Sequence, residues 1–85
     1  MPTNPRHHEP ERAAQWVAIR TVVGARIRAI RLERGLTQEQ VALTSGVARH
    51  MLVQVERGQR GLLYERLFDI AAALSVPVSA LLEDR

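Results

Sequence analysis

The sequence predicts an all-α protein of five helices in one small domain. Its 85 residues suit a single domain. Apolar residues recur at the spacing of a helix, and no segment shows the alternation of apolar and polar residues that indicates a strand. Glycine or proline falls between the helical segments, which is where helices commonly end.

The first helix is predicted from about Ala13 to Arg34. At ~100° per residue, its large apolar side chains fall within a stripe of roughly 80°. They are Trp16, Ile19, Val23, Ile27 and Ile30. The stripe passes through Gly24 in phase, so one long helix is expected, although glycine in a helix interior costs about 1 kcal/mol. Gly35 follows as the expected left-handed cap.

Residues 1–12 are predicted to form a disordered tail that precedes a domain at 13–85. The segment is rich in proline and has no apolar period. His7, His8 and Glu9 have metal-ligating side chains, but a solvated arm is the favoured interpretation, since a structural metal site needs more ligands in fixed geometry. No metal and no cofactor are therefore expected.

Two further helices, separated by a short turn, are predicted from the signals at their ends. Thr37 and Gln40 have the spacing of a capping box, which places the start of the second helix at Gln38. Gly46 lies in the turn that follows, and the third helix is expected over residues 49–57. Two short helices joined by a tight turn that contains glycine form a helix-turn-helix unit.

A fourth helix is expected over residues 64–74, and a short fifth over residues 78–84, on either side of a break at Pro77. The fourth helix has one apolar face. That face carries Leu67, Ile70, Ala71 and Leu74.

The composition argues against several kinds of protein. Cysteine is absent, which rules out disulfides, thiolate catalysis and cysteine-ligated zinc. No apolar run reaches the length of a membrane span, and the N-terminus lacks the apolar segment of a signal peptide, so a cytoplasmic protein without membrane contact is expected. No nucleophile–base arrangement or phosphate-binding glycine loop is present in the sequence, so no enzymatic activity is expected.

The charge gives weak support to a nucleic-acid partner. The formal net charge is +3, and all twelve basic residues are arginine. Compositional bias of the source genome is the favoured explanation for the missing lysine. Even so, the planar fork of arginine suits phosphate and guanine better than an ammonium group does.

The third helix contains three consecutive apolar residues, Met51, Leu52 and Val53. With Leu52 as the inward reference and ~100° per residue, Val55 and Glu56 also point inward. Met51 lies on a flank and Val53 on the outer side. An outward valine suits either a thymine methyl group or a protein surface, and the flank position leaves open whether the domain itself covers Met51.

Several segments together resemble the Cro/CI-type (XRE) helix-turn-helix domain. The resemblance covers roughly Val22 to Glu83 and includes "RIRAIRLERGLTQEQVALTSGV", "VERGQRG" and "LFDIAAALSVPVSALL". It depends on features at fixed offsets, which are Gly35-Leu36-Thr37-Gln38, Ala42, Gly46, Glu56-x-Gly58 and Ala71-x-x-Leu74. It implies a repressor-like five-helix bundle whose first helix is here extended at its N-terminus. Ala48 departs from the family pattern, because it cannot cap the third helix as serine or threonine would.

The resemblance implies a sequence-specific transcription regulator that binds the major groove of double-stranded DNA as a homodimer. By the same resemblance, four side chains of the third helix contact bases. They are Arg49, His50, Val53 and Gln54. Five further residues are implied to contact phosphates. They are Thr37, Gln38, Arg57, Gln59 and Arg60. The alternative is a protein-interaction module that binds a protein such as a toxin or a sigma factor through Met51 and Val53.

In the resembled family, the arginine that corresponds to Arg31 commonly pairs with the glutamate that corresponds to Glu56. A buried carboxylate needs such a partner, so a structural ion pair is expected here. Dimer contacts are expected at the apolar C-terminal edge and at Trp16, for which covering the core near the last helix is an equal alternative. These contacts are Trp16, Val78, Leu81 and Leu82.

Overall fold

The computed structural model describes residues 9–83, which form five α-helices. The helices are α1 (Glu9–Glu33), α2 (Gln38–Ser45), α3 (Arg49–Glu56), α4 (Tyr64–Ala73) and α5 (Ser79–Leu82). The predicted all-α class and the order of the five elements are confirmed, and no strand occurs between residues 9 and 83. Within that range no helix has the length and hydropathy needed to cross a membrane.

The start of α1 differs from the prediction. The helix begins at Glu9, so the prediction of a tail over residues 1–12 is wrong for residues 9–12. Pro10 lies in the first turn, where the absence of its N–H and its fixed φ are tolerated. Glu11 lies near the same helix end, whose partial positive charge favours an acidic side chain. His7 and His8, considered as metal ligands, lie outside the described residues.

At Gly24 the backbone of α1 lies in close contact with the end of α3. The helix is continuous through this residue, as its apolar phase predicts. A Cβ atom built at Gly24 would overlap the carbonyl oxygen of Val55 and lie 3.1 Å from the carbonyl carbon and oxygen of Glu56. Only glycine therefore allows the backbone of α1 to contact the end of α3. The loss of helix propensity at this residue is offset by that close packing.

The core draws apolar side chains from all five helices and from the turn before α3. Burying a side chain such as leucine or isoleucine contributes about 1.5–3 kcal/mol, so this cluster is the main source of stability. Its members are Ile27, Ile30, Val41, Val47, Leu52, Val55, Ile70, Ala71, Leu74 and Leu81.

One of the expected dimer contacts belongs to this core. Leu81 is 0 % exposed, so the prediction that it forms a dimer contact is wrong. The side chain instead anchors the single turn of α5 against the rest of the domain. Its neighbour Leu82 points the other way and is 54 % exposed.

Hydrogen bonds define the start of α2, its end and the turn that follows it. Thr37 Oγ1 accepts from the Gln40 N–H at 3.0 Å, and Gln40 Oε1 accepts from the Thr37 N–H at 2.8 Å, which is the predicted capping box. Gly46 closes α2 at φ 78°, a conformation that a residue with a Cβ atom rarely adopts. In the turn, Ser45 Oγ accepts from the Val47 N–H at 3.1 Å.

The start of α3 lacks a side-chain cap. Ala48 occupies the N-cap position and makes no side-chain hydrogen bond, as its methyl group dictates. The buried Ser45 hydroxyl and the buried Val47 side chain order the preceding turn instead. The direction in which α3 leaves the turn is therefore set by core packing and by this turn rather than by a cap.

Candidate nucleic-acid interface

A buried ion pair joins α1 to the end of α3. Arg31 Nε donates to Glu56 Oε2 at 2.7 Å, and Arg31 Nη2 donates to Glu56 Oε1 at 2.9 Å. The third guanidinium nitrogen, Nη1, donates to the carbonyl oxygen of Leu36 at 2.9 Å. The structure thus brings together the two residues that the sequence predicts to pair. Because both are under a tenth exposed, the bidentate geometry is what compensates for their lost hydration.

The side chain of Gln38 belongs to the same hydrogen-bond network. Gln38 Nε2 donates to Glu56 Oε1 at 3.2 Å, so the amide is turned toward the ion pair. The expectation that this side chain points outward at a phosphate needs correction, since one amide hydrogen is already bound. What remains at the open end of α2 is the second amide hydrogen and the N–H groups of Gln38 and Glu39, since the Gln40 N–H already donates to Thr37 Oγ1.

A basic cleft of about 810 Å³ opens at this end of α2. Four arginines and two glutamates are among its lining residues, so its net charge is positive. The arginines are Arg28, Arg31, Arg49 and Arg57, and the glutamates are Glu39 and Glu56. A helix N-terminus favours an anion through its N–H groups and its dipole, and the exposed arginines add to that field. The cleft therefore suits a phosphate group.

Arg28 lines the basic cleft, although its position in the sequence did not predict this role. It is exposed and precedes Arg31 by three residues, so the two side chains lie on neighbouring faces of α1. The three-residue spacing from Arg31 was the sequence signal that could have identified Arg28 as part of the site. It was not decisive, because an arginine on a helix surface is usually an ordinary solvated charge.

The outer face of α3 carries the side chains that were expected to contact bases. Arg49, His50 and Gln54 are exposed, whereas Leu52, Val55 and Glu56 face the interior. The predicted orientation of the helix therefore agrees with the structure at these positions.

Of the three consecutive apolar residues Met51, Leu52 and Val53, one differs from the prediction in its exposure. Leu52 is in the core, and Met51 is half-buried and packs against it, so the domain itself covers much of Met51. Val53 was expected to be exposed but is also half-buried. The exposed surface of α3 is consequently more polar than the sequence suggests.

The loop after α3 contacts the helix through both backbone and side chain. Gln59 N–H donates to the Gln54 carbonyl oxygen at 2.9 Å, and Arg60 Nη1 donates to Gln54 Oε1 at 3.2 Å. Arg57, Gln59 and Arg60 are all exposed. Arg60 was assigned to a phosphate alone, yet in the structure its guanidinium also orients the amide of Gln54.

The remaining expected dimer residues occupy different environments. Trp16 is 49 % exposed and lies outside both the core and the apolar side chains packed against it, so it does not cover the core. Val78 is half-buried and packs on the core, whereas Leu82 is largely exposed. Trp16 and Leu82 are therefore the members of the expected set that present most apolar surface to solvent.

Comparison with known sequences places the domain among regulators. A helix-turn-helix family model, HTH_3, matches residues 27–81. An HTH-type transcriptional regulator, y4dJ, of Sinorhizobium fredii is 40% identical over 58 residues, which are 68% of this chain and 75% of that protein. The immunity repressor protein of Bacillus phage phi105 is 42% identical over 59 residues, which are 69% of this chain and 41% of the repressor.

Solved structures of regulatory proteins are also similar to this chain. The restriction-modification controller protein C.AhdI from Aeromonas hydrophila superposes with a TM-score of 0.74 at 36% identity, covering 75% of this chain and 97% of the controller. The clp gene regulator ClgR from C. glutamicum superposes with a TM-score of 0.72 at 31% identity, covering 75% of this chain and 83% of ClgR.

Proposed function

Since the chain belongs to the helix-turn-helix family HTH_3 of DNA-binding transcriptional regulators, we propose that it binds one specific double-stranded DNA site through α3 as a homodimer. The observation that carries the proposal is the division of α3 into two faces. Its inner face is locked into the core and its outer face is polar and exposed, as a helix that enters the major groove requires. The proposed activity is binding without catalysis.

The base contacts follow from the chemistry of the exposed side chains. Arg49 can donate two hydrogen bonds to O6 and N7 of guanine, and Gln54 can contact N6 and N7 of adenine. His50 can donate to guanine or to a phosphate, and the partly exposed Val53 can contact a thymine methyl group. A good bidentate contact discriminates against the wrong base by about 1–3 kcal/mol.

The phosphate contacts surround this helix. At one side, the basic cleft offers Thr37, Gln38 and Arg28 around the N-terminus of α2. At the other side, the loop after α3 offers Arg57 and Gln59, with Arg60 extending from Gln54. Contacts of this kind fix the orientation of the protein on the duplex and carry no sequence information of their own.

A protein-interaction role for the same fold has less support. The sequence-based version of this alternative depends on apolar contact through Met51 and Val53, and both side chains are half-buried. An unidentified protein partner would have to use another surface. A large salt dependence of DNA binding favours the regulator, because each phosphate contact releases a counterion.

Selection of bound fragments from a random duplex pool tests the proposal. The expected result is an enriched motif with two-fold symmetry, with half-sites about one helical turn apart. Arg57→Ala removes a positive charge from the proposed interface. Arg34→Ala is the matched control, because it removes the same charge from a separate groove beside Val76 and Ala80. Only Arg57→Ala should weaken binding to the selected motif. Absence of enrichment would exclude sequence-specific binding.

A further inference from the structure

The first turns of α1 form an overhang that the family match does not include. We define the overhang as residues 10–19, all of which are exposed. The family model begins at residue 27, so these turns lie well before it. α1 makes its main contacts with α3 and α5, and its first buried residue is Gly24. The overhang is thus a helix that the described part of its own domain leaves largely exposed.

The apolar stripe of α1 continues along the overhang. At ~100° per residue, Trp16 and Ile19 share a face with Ile27 and Ile30, which are buried in the core. Both Trp16 and Ile19 are 49 % exposed. A contiguous apolar surface of this kind, unlike a single exposed leucine, indicates a contact surface.

The stripe leads into an apolar groove of about 220 Å³ between α1, the loop after α3, α4 and the end of α5. Its apolar lining includes Ile19, Val23, Val55, Leu62, Leu67 and Leu82. Small-molecule sites are usually about 300–1,000 Å³, so the groove is better suited to a side chain than to a cofactor. Arg20 lies at its edge, and within the described chain the buried Nε of this arginine has no acceptor.

We propose that the occupant is a second copy of this chain, with the two α1 helices antiparallel and each Trp16 seated in the groove of the other copy. The proposal deepens the proposed homodimer by naming its contact surface. A two-fold interface needs one patch that is complementary to itself. This surface carries both the protruding tryptophan and the groove that receives it.

The register of such a pair is consistent with the length of the helix. If two antiparallel α1 helices cross near Ile19, Trp16 of each lies opposite residues 21–22 of the other. These residues fall within the stretch of α1 from Ile19 to Gly24 that lines the groove. At about 1.5 Å per residue, the tryptophan and the middle of that stretch are separated by only about 8 Å along each helix.

Charges of both signs lie at the ends of this surface in the same register. Arg12 precedes Trp16 by one turn on the same face and would lie opposite Arg26 of the other copy, so these two guanidinium groups need a carboxylate beside them. Arg26 Nε donates to the Ala80 carbonyl oxygen at 2.9 Å, which holds α5 beside that part of α1. Glu83 lies three residues after Ala80 and is exposed, so it is the carboxylate that can neutralise both arginines. Among the side chains described, those of residues 10–83, neither Arg12 nor Glu83 takes part in an ion pair.

Residues 1–8 are a poor alternative occupant. This segment, "MPTNPRHH", is polar apart from its first residue and contains two prolines, so it offers little apolar surface to the groove. The charge pattern also favours a second copy over an unrelated helix, because one chain supplies both Arg12 and Glu83.

The test measures the oligomeric state of the full chain without DNA, by sedimentation and by tryptophan emission. Trp16 is the sole tryptophan, so its emission should shift to the blue as concentration rises through the dimer dissociation constant. Trp16→Ala should raise that constant at least about tenfold, as expected for tryptophan at the centre of an interface. Leu43→Ala, which truncates a 78 % exposed leucine on α2, is the control and should leave it unchanged.

A charge exchange separates this surface from a general loss of folding. Arg12→Glu and Glu83→Arg should each weaken the dimer, and the double variant should restore it. If Trp16→Ala and the two single charge variants dimerise with the dissociation constant of the wild type, the proposal is wrong. It is also wrong if the wild-type chain stays monomeric. A blue-shifted emission independent of concentration would mean that the chain fills its own groove. The dimer is measured without DNA, so the two proposals can fail separately. If the chain dimerises as expected but binds no specific DNA site, the proposed function is wrong and the proposed dimer surface is not.

Discussion

Arg31 and Glu56 form two parallel hydrogen bonds across the interface between α1 and the end of α3, and Gln38 adds a third from the start of α2. One carboxylate therefore ties together three helices. The consequence is that the proposed DNA-contacting helix and the proposed phosphate-binding helix end are held at a fixed spacing by a single buried charge.

Removing that carboxylate should be costly. Glu56→Ala leaves the Arg31 guanidinium buried without its ion pair, so the free energy of unfolding should fall by about 3–5 kcal/mol. Urea denaturation of the variant beside Glu65→Ala, which removes an exposed carboxylate from α4, measures the difference. An unchanged denaturation midpoint for Glu56→Ala would show that the ion pair has no structural role.

For Gly24→Ala, helix propensity and packing predict changes in stability of opposite sign. Alanine is the better helix former by about 1 kcal/mol, so propensity alone predicts a more stable protein. The overlap of the new Cβ atom with the Val55 carbonyl oxygen predicts a net loss instead, on the order of the 1–3 kcal/mol typical of overpacking. Denaturation of Gly24→Ala decides between them, and a stabilised variant would contradict the close approach of α1 and α3.

Arg60 should affect specificity as well as affinity. Because its guanidinium donates to Gln54 Oε1, Arg60→Ala should relax the base preference at the position that Gln54 contacts. Arg57→Ala removes a neighbouring charge without that hydrogen bond, so it should weaken binding equally on all sequences. Selection with each variant makes the comparison. If both variants retain the wild-type base preferences, Arg60 acts only on phosphate.

Arg28 should act through phosphate alone. Its replacement by alanine should lower DNA affinity and reduce the slope of log affinity against log salt by about 1, with no change in the preferred sequence. Arg34→Ala, which removes the arginine directly after α1 from a different groove, is the control. An identical salt slope for Arg28→Ala and the wild type would remove Arg28 from the interface.

Much of this fold is encoded locally and was therefore predictable. The Thr37 and Gln40 capping box and the Gly46 turn are set by residues a few positions apart, and both appear in the structure. The Arg31–Glu56 pair was predictable because the resembled family commonly pairs residues at these positions, and a glutamate on the inner face of a helix needs a partner. The helical periodicity of α3 correctly assigned Leu52 to the core.

The errors come from ambiguous local signals and from contacts between residues that are distant in sequence. α1 begins before the expected residue because Pro10 is tolerated in a first turn, although proline elsewhere indicates disorder. Leu81 and Leu82 are adjacent and apolar, and a single helical turn is too short for periodicity to tell which one is buried. The role of Gly24 and the partners chosen by Gln38 and Gln54 depend on residues distant in sequence.

Direct readout by α3 is the central claim, and Arg49 tests it most directly. Affinities of the wild type and of Arg49→Ala should be measured for the selected site and for duplexes with single base-pair substitutions. We expect the variant to lose about 1–3 kcal/mol of discrimination at one base pair in each half-site and to keep its preferences elsewhere. If Arg49→Ala instead binds every duplex more weakly by the same factor, Arg49 contacts only the backbone and the account of α3 as the base-contacting helix is contradicted.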